Sequence, residues 1–490
     1  MRFGFRAPAP GPATVSVNVT QRVTAFLPST TRQGWRVGVP RTAAPPGNGV
    51  LPVADSAHQP TESTEDEPPG PAPTPVPAQR RRRFTVDTTP LRIKPFRRLW
   101  SSTVVTAIGS QLTAVAVPLQ IYDDTGSSAL VGVAGAVALV PLVVFALWGG
   151  AIADLRDRRT LLLFSNAGIA LTSLLFWAQA ALGMHSVGVL FVLLAFQQAL
   201  FGINAPTRTA SVARLVPEAQ LPAATALTST VAQFGQILGP LLAGALAPLL
   251  GISTLYLVDT LALVITLWAV WKLPPLPPLK AAARRAGLKD IFDGFRYLWP
   301  RKLLLVSFVA DIAAMVLGMP RALFPEMADS YFGGDAALGV LYAALPVGAL
   351  LCGVFSGLYS HIRRHGVMVV LSVAAWGLAV AGLGLAHSLW LAALMLALAG
   401  AADMISMVFR GVILQSEATD EMRGRMQGVF TVVVAGGPRL ADLLHGTVGE
   451  AVGARGATVG GGLLVVVAVV LLAVLVPAFW RYAPAAAPRE

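Results

Sequence analysis

About twelve apolar stretches, each roughly 20 residues long, run between Leu99 and Trp480, with short links between them. About 20 apolar residues of helix cross a hydrocarbon core of ~30 Å. Lipid offers no hydrogen bonds, so each stretch must pair its own backbone N–H and C=O groups as helix. The chain is therefore an all-α membrane protein with twelve transmembrane helices, and its work is transport or signalling across a bilayer. Its charged fraction of 13% sits well below the roughly 25% of soluble domains. A net charge of +12 raises nucleic acid as a partner, but the basic residues lie in the links, where they set topology. The lone Cys352 lies inside an apolar stretch, so no intrachain disulfide forms and the thiol reads as packing.

The segments fall at roughly 99–122, 129–152, 161–182, 187–205, 221–247, 252–272, 303–325, 337–359, 367–387, 389–409, 426–447 and 457–479. Links after even-numbered segments are basic, with Arg156, Arg158 and Arg159, then Arg208 and Arg214, then Arg363 and Arg364, then Arg410, Arg423 and Arg425. Odd-numbered links carry no basic excess; Asp123 and Asp124 follow segment 1, and Glu326, Asp329 and Asp335 follow segment 7. Positive links stay inside, so both termini are expected in the cytoplasm of a multi-pass cell-membrane protein.

Residues 1–90 are rich in Pro, Ala, Thr and Arg without a sustained period, which predicts a disordered cytoplasmic extension. Its Arg80 to Arg83 run reads as a solvated tail or a contact with anionic lipid. A start at Val86 would remove most of this tail. Residues 91–272 form a first six-helix half and 303–482 a second, with 483–490 as a tail. Between them, 273–302 reads as a cytoplasmic connector, Pro-rich and then amphipathic from Leu288 to Trp299.

The halves echo one another. Pro206-Thr207-Arg208 near the end of segment 4 answers Val408-Phe409-Arg410 in segment 10, at an offset of about 200 residues. The Arg158-Arg159 pair answers Arg363-Arg364 at nearly the same offset. Two parallel six-helix halves resemble the major facilitator superfamily. The link Gly150-Ala151-Ile152-Ala153-Asp154-Leu155-Arg156-Asp157-Arg158-Arg159 is similar to that superfamily's gating signature, with Leu155 in place of a basic residue and Asp157 in place of Gly. Gly150 permits close packing, and Asp154 is placed to pair with Arg158 in a lock between access states; the alternative is a turn whose charges only set topology.

Segment 5 carries Gly235, Gly239, Pro240 and Gly244 in a pattern that resembles the superfamily's antiporter motif, with Ala243 replacing one Gly. The resemblance implies export; ordinary small-residue packing is the alternative. Gly109 to Tyr122, Pro320 to Pro325 and Gly339 to Ala349 look like the enterobactin-exporter branch, which also holds macrolide-type drug exporters.

Ionisable residues at bilayer depth face cavities or partners. They are Asp259, Asp311, Arg321, Asp403, Arg439 and Asp442. The resemblance places segments 1, 4, 7 and 10 around a central cavity, which favours Asp311 and Asp403 as proton-coupling residues. Asp311 reads as a lone carboxylate, with Arg321 too far along one continuous helix to neutralise it; a polar contact with a neighbouring helix's Arg or Gln is the alternative. Arg439 and Asp442 are spaced to pair on one face. Asp259 reads as structural. Gln111, Gln197, Arg321, Arg439 and Asp442 are the candidate cargo contacts.

No phosphate-binding loop and no His/Cys metal cluster is present in the sequence, and no enzyme motif, metal or cofactor is expected. The reading is a monomeric secondary exporter, coupled to protons, of a siderophore or similar amphipathic small molecule. A broad drug or macrolide-type pump is the alternative, and a non-transporting scaffold or sensor a third.

Overall fold

The computed structural model describes residues 87–153, 155–277, 293, 296–359 and 361–483, and every regular element among them is helical. The first half holds α1 (Lys94–Thr125), α2 (Ser128–Ala153), α3 (Arg158–Ala181), α4 (Val187–Leu215), α5 (Leu221–Leu250) and α6 (Ile252–Trp271). The second holds α7 (Lys302–Leu317), α8 (Phe324–Phe332), α9 (Asp335–Val354), α10 (His365–Gly384), α11 (Leu389–Glu417) and α12 (Asp420–Leu475). Asp154, residues 1–86, most of the stretch expected to be amphipathic, and residues 484–490 lie outside the described residues.

Among the described residues, eleven helical stretches are long and apolar enough to cross a bilayer, and the last, Val432–Leu475, is two spans. At 1.5 Å per residue its 44 residues would reach about 66 Å, twice a membrane core. Gly453 breaks it with φ 77° and ψ 155°, a conformation that favours glycine. A Cβ built on Gly461 would lie 2.5 Å from His445 Cε1, and these two residues are equally far from Gly453 on either side. The chain therefore doubles back there, which makes twelve spans. Large apolar side chains such as Leu171, Leu261, Trp268, Leu471 and Val474 face outward, as lipid requires.

The structure corrects the sequence reading at three helices. Segment 7 is not continuous. α7 stops at Leu317, Gly318 caps it, Pro320 withholds an N–H, and a 3₁₀ turn at Arg321–Leu323 leads into α8. The freed Leu317 carbonyl accepts a hydrogen bond from His445 Nε2 at 3.0 Å. α4 and α11 run past their expected ends to Leu215 and Glu417, so Arg208 and Arg410 are helix residues and not link residues.

The two ends of the bundle differ. One carries Asp123, Asp124, Asp329 and Asp335 and is here named the acidic end; the other carries Arg97, Arg98, Arg158, Arg159, Arg363 and Arg364 and is named the basic end. At the acidic end one buried cluster joins both halves, with Leu112, Ile121 and Tyr256 from the first and Leu323, Leu338 and Leu383 from the second. At the basic end the buried clusters are separate, one around Phe96, Leu162 and Val270, another around Val369, Phe409 and Met426. The halves are thus fused toward the acidic end and keep separate cores toward the basic end.

Glycines set the seam. Gly446 of α12 faces Gly132 of α2, where a Cβ would lie 2.9 Å from the opposing Cα. Gly244 of α5 faces Gly339 of α9, where a Cβ would lie 2.8 Å from the opposing Cα. Backbones this close exclude larger residues.

Candidate functional site

A central cavity with two lobes of about 340 and 370 Å³ lies between the halves. Gln111, Gln236, Arg321, Tyr342 and Pro438 line both lobes. Lining residues come from α1, α4 and α11 and from the break before α8, as the resemblance implied, but α2, α5, α9 and α12 contribute as well.

The two walls differ in chemistry. The first half supplies neutral groups, among them Ser110, Gln111, Thr113, Gln197, Gln198 and Gln236. The second half supplies every charge in the lining: Arg321, Asp403, Arg439 and Asp442. The Arg321 guanidinium lies 5.5 Å from the Tyr342 ring, a cation–π arrangement. Among the described residues, neither the Arg321 nor the Arg439 side chain makes a hydrogen bond or an ion pair within 4.0 Å. The expected Arg439–Asp442 bridge is therefore absent. Asp442 packs against Gly135, and its Oδ1 is buried without a hydrogen-bond partner. The i, i+3 spacing brings these side chains to one face of α12, where they stay within electrostatic reach without closing to a bridge.

Asp311 is neither lone nor cavity-facing. It is 1% exposed and forms an ion pair with Arg410 of α11. Arg410 Nη2 also lies 3.6 Å from Asp403 Oδ1, and its Nε donates to Ser406 O at 3.3 Å. The side chain of Asp403 is 28% exposed and lines the cavity. A buried guanidinium thus holds two carboxylates, one sealed in the protein and one open to the lumen. The sequence reading named both acids and missed the cation between them. Arg410 stands seven residues beyond Asp403 on the same helix face, and that spacing was the available signal.

In the first half Arg208 occupies the repeat position of Arg410, with neutral partners. Its Nη1 donates to Thr103 Oγ1 at 2.7 Å and its Nη2 to Asn166 Oδ1 at 3.5 Å.

The glycines of α5 serve two packings. A Cβ on Gly235 would lie 2.9 Å from Ala107 Cβ, and one on Gly239 would strike Gln111 Cβ, so both glycines seat α5 on α1. Gly239 thereby positions a cavity residue, while Gly244 sits in the seam between halves. Pro240 lines one lobe.

At the basic end Asp154 lies outside the described residues, and α2 reaches Ala153 with Gly150 inside it. Arg158 Nη1 donates to Ala210 O at 3.2 Å, and Arg159 Nη2 to Trp271 O at 2.7 Å. Both cations thus hold carbonyls near the ends of other helices, where the helix dipole favours positive charge. Asp157 caps α3 by accepting from Thr160 N at 3.0 Å, and its other oxygen accepts from Leu276 N at 2.8 Å. This departure from the signature ties the start of the connector to the motif.

At the acidic end two glutamates of the second half clasp the start of α2. Glu326 Oε2 accepts from Ser128 Oγ at 2.5 Å, and its Oε1 accepts from Ala454 N at 3.3 Å. Glu450 Oε2 accepts from Ser127 Oγ at 3.0 Å and from Ala129 N at 3.4 Å. A helix N-terminus needs acceptors for its free N–H groups. Here Glu450 of the opposite half accepts from the Ala129 N–H, Ser127 Oγ accepts from Leu130 N, and the two glutamates hold the hydroxyls of Ser127 and Ser128, so these hydrogen bonds tie the two halves together at the acidic end. No group of three or more candidate metal ligands occurs among the described residues.

A family model described as a transmembrane secretion effector matches residues 85–486. The enterobactin exporter EntS of Shigella boydii serotype 4 (strain Sb227) is 28% identical over 383 residues, 78% of this chain and 92% of that protein. Its counterpart in Escherichia coli O81 (strain ED1a) is 27% identical over the same length and shares. Among solved structures, the nucleoside transporter NupG has a TM-score of 0.63 at 14% identity, covering 79% of this chain and 99% of that one. A bacterial homologue of the human lysosomal transporter Spinster, inward-facing and unoccupied, has a TM-score of 0.56 at 16% identity, covering 81% and 100%. These likenesses show the fold: twelve helices in two pseudo-symmetric halves.

Proposed function

The chain belongs to the transmembrane secretion effector family of major facilitator transporters, and from that premise we propose that it is a proton-coupled exporter of a siderophore or similar amphipathic small molecule. The observation that carries the reading is the Asp311–Arg410–Asp403 triad. Two carboxylates share one cation, so the triad holds one surplus negative charge that a single proton neutralises. Asp403 is the member in contact with the lumen, so proton and cargo meet at one side chain. Asp311 fixes Arg410 from the sealed side and sets where that cation stands.

The basic end is the cytoplasmic one in this reading, by the positive-inside bias of its links. Separate cores there, and a clasp at the other end, describe a carrier that receives cargo from the cytoplasm. Cargo meets a wall of amides and hydroxyls on one side and two unpaired guanidiniums beside Tyr342 on the other. Such walls suit a molecule rich in acceptor oxygens with acidic or aromatic groups. The curated relatives, enterobactin exporters, point to the same class. The Gly150–Asp154–Arg158–Arg159 motif serves as the cytoplasmic gate in this scheme, and Gly235, Gly239, Pro240 and Gly244 let α5 hold its position against α1 and α9.

Purified protein in proteoliposomes tests the reading. With enterobactin inside and an inward proton gradient, export and proton uptake should rise together. The Asp403→Asn variant should keep enterobactin counterflow and lose gradient-driven export. Export with no accompanying proton movement would refute the coupling, and no transport of enterobactin would refute the cargo class.

A further inference from the structure

A carboxylate buried as deeply as Asp311 stands outside the triad. Asp259 of α6 is 2% exposed. Its Oδ2 accepts hydrogen bonds from Thr113 Oγ1 of α1 at 2.7 Å and from Ser173 Oγ of α3 at 2.8 Å. Its Oδ1 is buried with no hydrogen-bond partner. Among the described residues no cation lies within 4.0 Å of it, in contrast to Asp311 and Asp403.

The charged groups on the surrounding helices are remote. Along α1, Asp123 is ten residues from Thr113, about 15 Å, and Arg98 is further in the other direction. Along α3, Arg159 is fourteen residues from Ser173, about 21 Å. Lys272 is thirteen residues beyond Asp259, about 20 Å, and on α4 Arg208 is eleven residues from Gln197, about 16 Å. The nearest titratable neighbour on its own helix is Tyr256, whose hydroxyl donates to Gln120 Oε1 at 2.9 Å. An ionised carboxylate at membrane depth with no counter-charge is costly, which favours a positive partner for Asp259 at rest, while the two hydroxyl donors keep the charged form reachable.

The space admits a proton and not a metal ion. Oδ1 abuts Gly109, where a Cβ would lie 2.7 Å from it and 3.0 Å from Ala262 Cβ. Among the described residues no group of three or more candidate metal ligands occurs, there or elsewhere. Oδ2 meets two hydroxyls, and a hydroxyl donates or accepts with the same heavy-atom geometry. The node therefore suits Asp259 in both protonation states without rearrangement.

The node also reaches the cavity. Thr113 and Gln197 both line one lobe, and Gln197 Nε2 donates to Ser173 Oγ at 3.2 Å. We propose that Asp259 is a proton-binding site of the first half, protonated in the state described here and exchanging that proton with the cavity through Thr113. In the exchange the carboxyl O–H bond breaks and its proton goes to Thr113 Oγ1. The Thr113 hydroxyl releases its own proton to cavity water, and the carboxylate left behind accepts the Thr113 and Ser173 hydroxyl bonds. Cargo that draws on Gln197 changes what Ser173 has to offer Asp259, which links occupancy of the cavity to occupancy of the proton site. The role in turnover rests on the proton-antiport reading; the occupancy of the site does not.

Infrared difference spectroscopy of the whole protein in lipid nanodiscs, titrated from mildly acidic to mildly alkaline buffer, tests this without cargo. The expected result is a protonated-carboxyl C=O band that disappears as the buffer is made alkaline. It should be missing in Asp259→Asn and present in Asp403→Asn. Thr113→Val keeps the acid and removes the hand-off, so the band should remain and respond to a pH jump several-fold more slowly. No such band in the wild type overturns the proposal. A band that never titrates is a fixed structural proton and overturns it too. In proteoliposomes, Asp259→Asn should lose part of the proton uptake per enterobactin exported while counterflow persists; unchanged proton uptake overturns the role in the cycle. If the wild type moves no protons with cargo, the antiport reading falls, and the titration alone decides Asp259.

Discussion

The glutamate clasp makes a quantitative claim about which way the carrier faces. Opening the acidic end must pull the start of α2 away from Glu326 and Glu450, because the hydrogen bonds that tie α2 to the other half run through them. A hydrogen bond to a charged group contributes about 1.5–3 kcal/mol when well sheltered. The Ser128–Glu326 contact is the sheltered one, since Ser128 is 1% exposed. Glu450 is exposed and one of its two contacts is long, so solvent cuts its share to about 0.5–1 kcal/mol, including its effect on the α2 dipole. Removing both acids should therefore shift the equilibrium toward opening by about 2–4 kcal/mol, or roughly 30- to 700-fold at about 1.4 kcal/mol per tenfold. The assay is external labelling of a cavity cysteine. Gln111→Cys is introduced with Cys352→Ser, and a membrane-impermeant maleimide is applied from outside. Glu326→Ala with Glu450→Ala should raise the labelling rate at least tenfold, Glu326→Ala alone should outrank Glu450→Ala, and the Gln variants should fall between, since an amide still accepts. Unchanged labelling in the double variant would mean the apolar seam alone holds that end shut, and the clasp reasoning would fail.

Four other outcomes follow from the same structure. Arg410→Met strands the buried carboxylate of Asp311 and leaves Asp403 unpaired at the cavity wall, which should cost about 3–5 kcal/mol of stability, read as a lower Tm in detergent; adding Asp311→Asn should restore much of it, and no restoration would deny the pair. Gly239→Val drives a branched side chain into Gln111 and should lower export several-fold at a stability cost of about 1–3 kcal/mol, whereas wild-type export would show that α5 and α1 can separate freely. Asp154→Asn should slow turnover with expression intact, and wild-type turnover would reduce the motif to a topology signal. Reporters fused after residues 160 and 365 should be cytoplasmic and those after 126 and 333 external; one reversal between adjacent links would overturn the assignment of the ends.

The spans were legible because lipid allows a single backbone solution and length alone identifies it. Where helices stop inside the membrane was less so. Hydropathy counts ran straight through Gly318-Met319-Pro320, although a Gly followed shortly by Pro is a helix-stop signal. The same counts stopped short at Pro206-Thr207-Arg208 and at Arg410, because a charge lowers the average whether it lies in a link or in a buried ion pair. The charged residues of the cavity could be named individually, since each is conspicuous in an apolar run. Their pairings could not, because a partner is a fact about neighbouring helices. Asp311 met Arg410 from α11, Asp259 met hydroxyls from α1 and α3, and Asp442 missed Arg439 one turn away.

The internal repeat is kept in the backbone and broken in the charges, and that asymmetry bears on how such a carrier works. Arg208 and Arg410 stand at matching places in the two halves. Arg410 is locked between two acids, whereas Arg208 leans on Thr103 and Asn166. The buried acid of the first half, Asp259, has hydroxyl partners and, among the described residues, no cation within 4.0 Å. A symmetric distribution of charge would give both halves the same response to a proton, and a rocking motion gains nothing from two equal responses. In the proton-coupled cycle proposed above, protonation removes a net charge from the triad in one half and leaves Arg410 neutralised by a single acid. In the other half it fills a site with no fixed counter-charge. The two halves thus answer the same proton differently, and differential response is what an ion needs in order to bias one access state over another. Exchanging the pattern tests this: Asn166→Asp would give Arg208 an acid as Arg410 has. It should hold the first half in one electrostatic state and weaken the pH dependence of export, while counterflow continues. A steeper or unchanged pH dependence would remove the asymmetry from the mechanism.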